Sequence, residues 1–233
     1  MVTDIDGLDW DAIDHSLRTR GWATTPPLVT PAACDELRAA YQDAARFRSR
    51  VVMARYRFGE GEYQYFANPL PPVVDDLRQR SYRHLSGTAN WWHEALGIET
   101  MFPAEYRAFI DTCHAQGQTR PTPLLLRYTE GGYNCLHQDV YGPVYFPLQM
   151  VVMLSRPDVD YDGGHFLLVE TRPRAQSAGE ALRPGQGGAV IFTTRHRPAR
   201  GARGFYRATM RHGVSTVARG ERYTLGIIYH DAE

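Results

Sequence analysis

The sequence predicts an α+β protein in which a helical amino-terminal region supports a double-stranded β-helix, the jelly roll. Apolar residues recur at helical spacing in the first third of the 233-residue chain, whereas short β-rich runs separated by turns fill the part after Pro121. No helical pattern intervenes between those runs, which disfavours a parallel βαβ sheet. We therefore expect one structural domain, with residues 1–120 as a mainly helical support and residues 121–233 as the jelly-roll core.

The amino-terminal part is predicted to contain several helices and one hairpin. Thr30 followed by Pro31 is typical of a helix start. The run VVMARYRFGEGEYQYF has aromatic residues alternating on either side of Gly59-Glu60-Gly61, a pattern that predicts a β-hairpin near 51–66. The expected helices cover residues 9–20, 31–48, 73–83, 89–96 and 103–116.

The carboxy-terminal part is predicted to be built from short strands. Glycine, proline and charged turns separate them at intervals that suit an antiparallel sandwich or barrel. The expected strands cover residues 122–129, 133–137, 146–154, 166–170, 189–194, 205–212 and 222–229.

Composition excludes several classes of protein. The chain carries 26 basic and 26 acidic residues and is 43% hydrophobic, which is ordinary for a soluble globular protein. No stretch reaches the roughly 18 apolar residues of a membrane helix, and the acidic amino terminus does not resemble a secretory signal. Cys34, Cys113 and Cys135 lack the spacing of a disulfide framework or a thiolate zinc site. We expect a cytoplasmic protein with no membrane association.

A metal-binding pattern occurs at His137-Gln138-Asp139. On a strand, residues two apart point to the same face, so this imidazole and this carboxylate can converge on one ion. His212, which ends the run FYRATMRH, is the best candidate for a third ligand. Two histidines and one carboxylate leave open positions on the ion, as in non-haem Fe(II) oxygenases. The alternative is chance, because the chain has nine histidines and a lone histidine is usually a packed or surface residue.

Arg222 strengthens the metal hypothesis. It follows His212 by ten residues on a predicted strand that would bring its guanidinium into the barrel. A buried arginine requires a carboxylate partner, and that strand offers none. A ligand carboxylate bound bidentately would meet the requirement.

The chain resembles the Fe(II)/2-oxoglutarate-dependent oxygenase superfamily. The resemblance rests on the order RYTEGGYNCLHQD, DGGHFLLVE and RHGVSTVARGERYTLGIIYH, the first of which is similar to the prolyl-hydroxylase-like branch. The phrases YRFGEGEYQYF, ANPLPP, HQDVYGPVYFPLQ, RPRAQS and MRHGVS resemble a bacterial subfamily regarded as oxygenases for oxidative demethylation of damaged DNA. This resemblance extends from about Gly21 to Asp231.

The resemblance implies cofactors and roles. The cofactors are Fe(II) and 2-oxoglutarate, with O2 as a further substrate and succinate, CO2 and, from an N-methyl group, formaldehyde as products. His165 stands where the family usually has an acidic residue, and we do not assign it to the metal. The implied iron ligands are His137, Asp139 and His212; the implied cosubstrate-binding residues are Arg222, Tyr128 and Gln149.

Two sequence features bear on the substrate. Tyr56, Phe58 and Tyr65 lie beside arginines in the predicted hairpin, which suits stacking on a base, although the same rings would also pack an amphipathic hairpin onto helices. Arg200 and Arg203 belong to a run, 195–211, with six arginines and no acidic residue. That run suits a phosphate track at the mouth of the site, a solvated face, or recognition of a small anionic substrate.

The sequence is therefore compatible with three functions. The leading hypothesis is a demethylase of alkylated bases in single-stranded or flipped-base nucleic acid. The alternative is a hydroxylase of an amino acid, a protein side chain or a small metabolite. A non-catalytic metal-binding barrel is the weaker alternative. The sequence leaves open whether Cys135 touches the pocket.

Overall fold

The computed structural model describes residues 1–233. Two short 3-10 turns, Ala44–Arg46 and Met53–Tyr56, lie near the amino-terminal strands. None of the helices is long and apolar enough to span a bilayer. The four α-helices are α1 (Trp10–Arg20), α2 (Pro31–Ala40), α3 (Pro72–Ala95) and α4 (Tyr106–Ala115).

Fifteen strands form the rest of the regular structure. In chain order they are β1 (Trp22–Thr24), β2 (Phe47–Val52), β3 (Gly59–Glu60), β4 (Glu62–Phe66), β5 (Leu124–Tyr128), β6 (Tyr133–His137), β7 (Leu148–Met153), β8 (Tyr161–Gly163), β9 (Phe166–Thr171), β10 (Ala178–Leu182), β11 (Ala189–Thr193), β12 (His196–Gly201), β13 (Gly204–Val214), β14 (Val217–Gly220) and β15 (Arg222–Ile228).

The strands pair antiparallel in two main sheets, which confirms the α+β jelly-roll prediction. The seven-stranded sheet has the order β1-β11-β7-β15-β5-β4-β2. The six-stranded sheet has the order β10-β9-β13-β6-β3, with β12 added at β13, and β14 pairs with β8 in a small third sheet. Three strands of the seven-stranded sheet, β1, β2 and β4, come from the first 120 residues.

Strand β15 shows how the sequence divides the two faces of the seven-stranded sheet. Tyr223, Leu225 and Ile227 lie in the hydrophobic cluster that the helices share with the sheet. The alternate residues of the strand, beginning with Arg222 and Thr224, line a cavity between the sheets. This period of two follows from the pleat of a strand, and it points one face of β15 toward the helices and the other toward the site.

The helix predicted over 31–48 is wrong in its second half. Helix α2 ends at Ala40, and the Asp43 side chain instead accepts a hydrogen bond from the Ala45 N–H at the 3-10 turn. The Phe47 ring, which fits the helical spacing, stacks at 4.9 Å on Phe66 of the neighbouring strand β4. A long-range aromatic contact therefore overrides the local periodicity.

Conversely, the helices predicted over 73–83 and 89–96 are one continuous helix, α3, which runs through Gly87 without interruption.

The hairpin predicted near 51–66 exists, but its first arm begins earlier. Strands β2 and β4 pair with Val51 opposite Tyr63. The residues between them turn around the fully buried Met53, whose backbone N–H donates to Gly61 O at 2.9 Å. Tyr56 and Phe58 therefore lie on the connection and not on an arm of the hairpin.

Five strands were not predicted: β1, β8, β10, β12 and β14. They lack the apolar alternation from which a strand is recognised: β10 reads AGEAL and is mostly exposed, and β12 reads HRPARG. Their partners in the sheets, not their own side chains, determine that they are extended.

Candidate metal centre

Strands β6 and β13 bring the three candidate ligands together. His137 is the last residue of β6 and lies directly opposite His212 of β13. Asp139 follows two residues later, where the chain leaves the sheet. The candidate ligand atoms of these three side chains all lie within 4.8 Å of one another.

The candidate ligand atoms are close enough to share one ion. Asp139 Oδ2 lies 3.0 Å from His212 Nε2, and Asp139 Oδ1 lies 3.6 Å from His137 Nε2. With metal–ligand bonds of roughly 2.1 Å, neighbouring donors at right angles lie roughly 3.0 Å apart. The His137 Nδ1–H donates to the Cys135 carbonyl at 2.8 Å. Because a carbonyl only accepts, this bond fixes the tautomer and leaves the Nε2 lone pair of His137 free for a metal.

The electrostatics of the cluster also fit a cation. Burial lowers the pKa of His212, and the neighbouring His137 lowers it further. Burial alone would raise the pKa of Asp139, but His212, His137 and the Tyr141 hydroxyl outweigh it and hold this pKa well below its usual range. One carboxylate and neutral imidazoles are the protonation states that metal binding requires.

Arg222 lies in the same cavity without a carboxylate partner. It is 1% exposed, its Nε makes no hydrogen bond, and its Nη2 donates one long hydrogen bond, to Met153 Sδ at 3.6 Å. Burial lowers the pKa of Arg222. Arg197, which is similarly buried, is by contrast paired with Glu170. An unpaired buried guanidinium is costly, so the arrangement fits a bound carboxylate as the missing partner.

Tyr128 and Gln149 lie near this guanidinium. Tyr128 pairs with Arg222 in register across β5 and β15, and its ring centroid is 5.5 Å from the guanidinium carbon. Burial raises the pKa of Tyr128 to about 12, and its hydroxyl accepts a hydrogen bond from Asn134. The buried Gln149 Nε2 has no hydrogen-bond partner, so it too is available to a ligand.

Gly164, which precedes His165, leaves room for the Arg222 side chain. A Cβ at Gly164, where φ is +56°, would lie 2.8 Å from Arg222 Cδ. His165 itself is half-buried, its N–H donates to Ser215 Oγ, and it does not line the cavity.

One cavity of about 400 Å³ contains these groups, and most of its lining is hydrophobic. Cys135 is exposed and lines it, so this side chain does touch the pocket. The predicted site residues that line the cavity are His137, Asp139, His212, Arg222, Tyr128, Gln149, Tyr65 and Phe58.

The remaining predicted substrate residues, Tyr56, Arg200 and Arg203, lie outside the cavity lining. Tyr56 and Phe58 are 59% and 46% exposed and stack on each other at 5.5 Å, so packing against helices does not account for them. Arg200 lies opposite Phe205 in the β12–β13 hairpin, and Arg203 lies in its turn. At roughly 3.3 Å per residue, this turn is roughly 30 Å along β13 from His212. The two arginines are thus remote from the cavity mouth.

Tyr141 and Arg57 are two polar residues of the cavity lining that were not among the predicted site residues. Tyr141 lines the cavity, and its hydroxyl donates to Asp139 Oδ1 at 2.7 Å. The spacing of two residues from Asp139 was a signal that could have found it. Arg57 also lines the cavity, from a left-handed backbone conformation with φ of 60°. No sequence pattern marks that conformation.

Comparison with known proteins identifies the family. A sequence model matches residues 61–232 and describes its members as oxygenases catalysing oxidative methylation of damaged DNA. The chain belongs to this family. Two uncharacterized proteins of Mycobacterium tuberculosis, Rv2227 and MT2286 from a second strain, are relatives of this oxygenase. Each is 50% identical over 168 residues, which is 72% of this chain and 72% of the relative.

Solved structures share the fold. A Pseudomonas putida prolyl-4-hydroxylase is 16% identical with a TM-score of 0.57, and the match covers 96% of this chain and 99% of that one. A 2-oxoglutarate–Fe(II) oxygenase from Burkholderia pseudomallei is 17% identical with a TM-score of 0.56, covering 96% of this chain and 92% of that one. Together with family membership and the His-Asp-His cluster, these findings identify a 2-oxoglutarate-dependent Fe(II) oxygenase.

Proposed function

We propose that this oxygenase removes methyl groups oxidatively from alkylated nucleic-acid bases. The observation that supports it is the convergence of His137, Asp139 and His212, the last of them buried, in a cavity that also holds the unpartnered Arg222. In this proposal, the three clustered side chains bind Fe(II), and Arg222 binds the distal carboxylate of 2-oxoglutarate. The family's description supplies damaged DNA as the substrate class.

Fe(II) and 2-oxoglutarate, when bound, supply the activation of O2 that oxidises a C–H bond and yields succinate and CO2. The chain's own residues position the reactants. Arg222 and Gln149 offer unpartnered donors to the cosubstrate, and Tyr128 packs its ring beside the guanidinium. Phe166 and Phe192 form an apolar wall beside His212 that limits access of water. If the oxidised carbon is an N-methyl group, the resulting N-hydroxymethyl group releases formaldehyde and restores the N–H.

A surface beside the cavity supports a nucleic-acid substrate. The stacked, exposed rings of Tyr56 and Phe58 suit contact with bases, and Arg57 between them suits contact with a phosphate. The Cys135 N–H donates to Phe58 O at 2.8 Å, so this segment is attached to the strand that carries His137. Tyr65 forms part of the cavity wall. A cavity of this size suits one base that is single-stranded or turned out of a duplex.

We place the reaction in the cytoplasm, where DNA and ferrous iron are both available.

The test is an assay of coupled turnover. The protein is loaded anaerobically with Fe(II), mixed with 2-oxoglutarate and exposed to O2 in the presence of methylated oligonucleotides, matched unmethylated oligonucleotides, or small acids and peptides. We expect a methylated oligonucleotide to stimulate succinate formation, with formaldehyde released in equal amount. Asp139→Asn should abolish both products. Succinate stimulated only by a small acid or peptide, without formaldehyde, would contradict the proposal and favour a hydroxylase.

The aromatic surface is tested in the same assay. Tyr56→Ala with Phe58→Ala should raise the oligonucleotide concentration needed for half-maximal rate by about tenfold or more, because each stacked base contributes about 1–3 kcal/mol. Succinate formation without an oligonucleotide should be unchanged. An unchanged oligonucleotide requirement would mean that these two rings do not contact the substrate.

A further inference from the structure

A chain of two tyrosine hydroxyls ends on the carboxylate of the candidate metal centre. The Tyr141 hydroxyl lies 2.7 Å from Asp139 Oδ1, and the Tyr65 hydroxyl lies 3.2 Å from the Tyr141 oxygen. An ionised carboxylate only accepts hydrogen bonds, and each phenol has one proton. Tyr141 must therefore donate to Asp139, and Tyr65 must donate to Tyr141.

The two oxygens of Asp139 consequently have different surroundings. Oδ1 accepts from Tyr141 and lies 3.6 Å from His137 Nε2, whereas Oδ2 faces His212 Nε2 at the shorter distance of 3.0 Å. Without the hydroxyl, the carboxylate could rotate or use both oxygens on one ion. We propose that Tyr141 is a positioning residue that holds Oδ1 and leaves Oδ2 as the single oxygen ligand, and that Tyr65 in turn orients Tyr141. This keeps the opposite face of the ion open for 2-oxoglutarate and O2.

The loop that carries Tyr141 is fixed independently of this hydroxyl. The buried Gln118 side chain donates to Val144 O at 2.8 Å and accepts from the Val144 N–H at 2.8 Å. On the other side of the loop, Gln138 Nε2 donates to Met210 O at 2.8 Å. Gly142 permits the close approach, because a Cβ there would lie 2.6 Å from Gln118 Cδ. Loss of one hydroxyl should therefore leave the loop in place.

Tyr65 is also held from outside the cavity. The Arg48 guanidinium carbon lies 4.5 Å from the centre of its ring, and the edge of this ring approaches Tyr141 with centroids 6.4 Å apart. Replacement of either tyrosine by phenylalanine would keep these ring contacts. Tyr65→Phe removes only its hydrogen bond to Tyr141, whereas Tyr141→Phe removes both hydrogen bonds of the chain. The pair thus allows the hydroxyl chain to be tested without emptying the cavity wall.

The inference rests on the proposed ligand set, and the experiment tests the two separately. Co(II) binding to the metal-free protein is measured by titration calorimetry, without 2-oxoglutarate or nucleic acid. Asp139→Asn tests the ligand set and should abolish binding. Tyr141→Phe should weaken Co(II) binding by about tenfold or more, as is usual when a hydrogen-bond partner of a metal ligand is lost. Tyr65→Phe should give a smaller loss in the same direction.

The control is Tyr145→Phe, on the same loop but outside the cavity lining, which should bind Co(II) as the unaltered protein does. The melting temperature of metal-free Tyr141→Phe should also be unchanged. Unaltered Co(II) affinity in Tyr141→Phe, with binding lost in Asp139→Asn, would overturn the positioning role and leave the ligand set intact. A melting temperature that falls together with the affinity would make Tyr141 merely structural. Unaltered binding in Asp139→Asn would overturn both.

Discussion

At the scale of single residues, the buried charge of Arg222 lowers the stability of the fold and at the same time serves function. Its guanidinium is buried against Tyr128, Tyr161 and Met153 without an acidic partner. An unpaired buried charge destabilises the folded state. We infer that the ligand-free protein tolerates this cost because the same charge binds the cosubstrate carboxylate.

Arg222→Met should therefore have opposite effects on stability and on binding. The melting temperature of the ligand-free protein should rise, because a long apolar side chain replaces an uncompensated charge. The 2-oxoglutarate concentration needed for half-maximal succinate formation should rise by about 30-fold or more, since loss of one partner of a buried charged pair costs about 2–5 kcal/mol. Thermal melts with and without 2-oxoglutarate, and succinate assays, measure the two effects. A lower melting temperature would show that Arg222 stabilises the fold by itself.

The sequence predicted the three candidate metal ligands but not the tyrosine hydroxyls beside them. His137 and Asp139 are two residues apart at the end of β6, a spacing that can be read directly from the sequence, and His212 ends a run with clear strand character. Tyr65 reaches Tyr141 from a strand 76 residues earlier in the chain. No local pattern carries a contact of that separation, so the hydroxyl chain required the fold.

At the scale of elements, the β12–β13 hairpin extends away from the cavity. Phe205 near its turn contacts the Trp91 ring of α3 edge-on at 5.2 Å, and the Arg18 guanidinium of α1 covers the same tryptophan at 4.5 Å. The turn is thus supported by the helices. Measured along β13, the exposed Arg200 lies roughly 23 Å from His212 and the exposed Arg203 roughly 30 Å. That length corresponds to roughly nine nucleotides at 3.4 Å each.

Reversal of both charges, Arg200→Glu with Arg203→Glu, should weaken binding of long oligonucleotides only. A strand that reaches the turn loses two phosphate contacts, so the slope of log affinity against log salt should fall by about two. Oligonucleotides of four or five nucleotides, and succinate formation without nucleic acid, should be unaffected. Fluorescence anisotropy across oligonucleotide lengths and salt concentrations measures this.

The matched control reverses two exposed arginines of the helices, Arg83→Glu with Arg107→Glu, which pair with Glu105 and Asp111. The net charge changes by the same amount, so an equal loss of affinity in the control would assign the effect to overall charge and not to the hairpin. An unchanged affinity of long oligonucleotides for the hairpin variant would exclude a phosphate track there.

Strands with an apolar face were predicted correctly from the sequence. Strands whose extended conformation depends on pairing with a neighbouring strand were not. β15 and β7 alternate cleanly between the helix-facing cluster and the opposite face, and both were expected. β10 and β12 are extended because β9 and β13 pair with them, although neither shows an apolar alternation. The overlong helix expected over 31–48 failed for the same reason, because Phe47 finds its partner on β4.

At the scale of the whole molecule, the helices and the jelly roll share one hydrophobic core. A single cluster of 34 buried residues extends from Ile5 to Tyr229 and includes side chains of all four helices and of the seven-stranded sheet. Arg78 of α3 crosses this boundary. It donates to Ile228 O and Tyr229 O at 2.9 Å and to Asp231 Oδ1 at 2.7 Å, so it attaches the longest helix to the end of β15.

Arg78→Met should destabilise the whole molecule and not the helices alone. It leaves the buried Asp231 with only His114 as a partner, and loss of one member of a buried ion pair costs about 3–5 kcal/mol. Because the core is shared, urea unfolding followed by far-UV circular dichroism and by tryptophan fluorescence should remain one coincident transition, moved to lower urea.

Arg80→Met is the matched control on the same helix, since its partner Asp6 is exposed and the pair contributes at most about 1 kcal/mol. Separate transitions by the two probes in Arg78→Met would mean that the helical region and the jelly roll unfold independently, and that the shared core does not make them one cooperative unit.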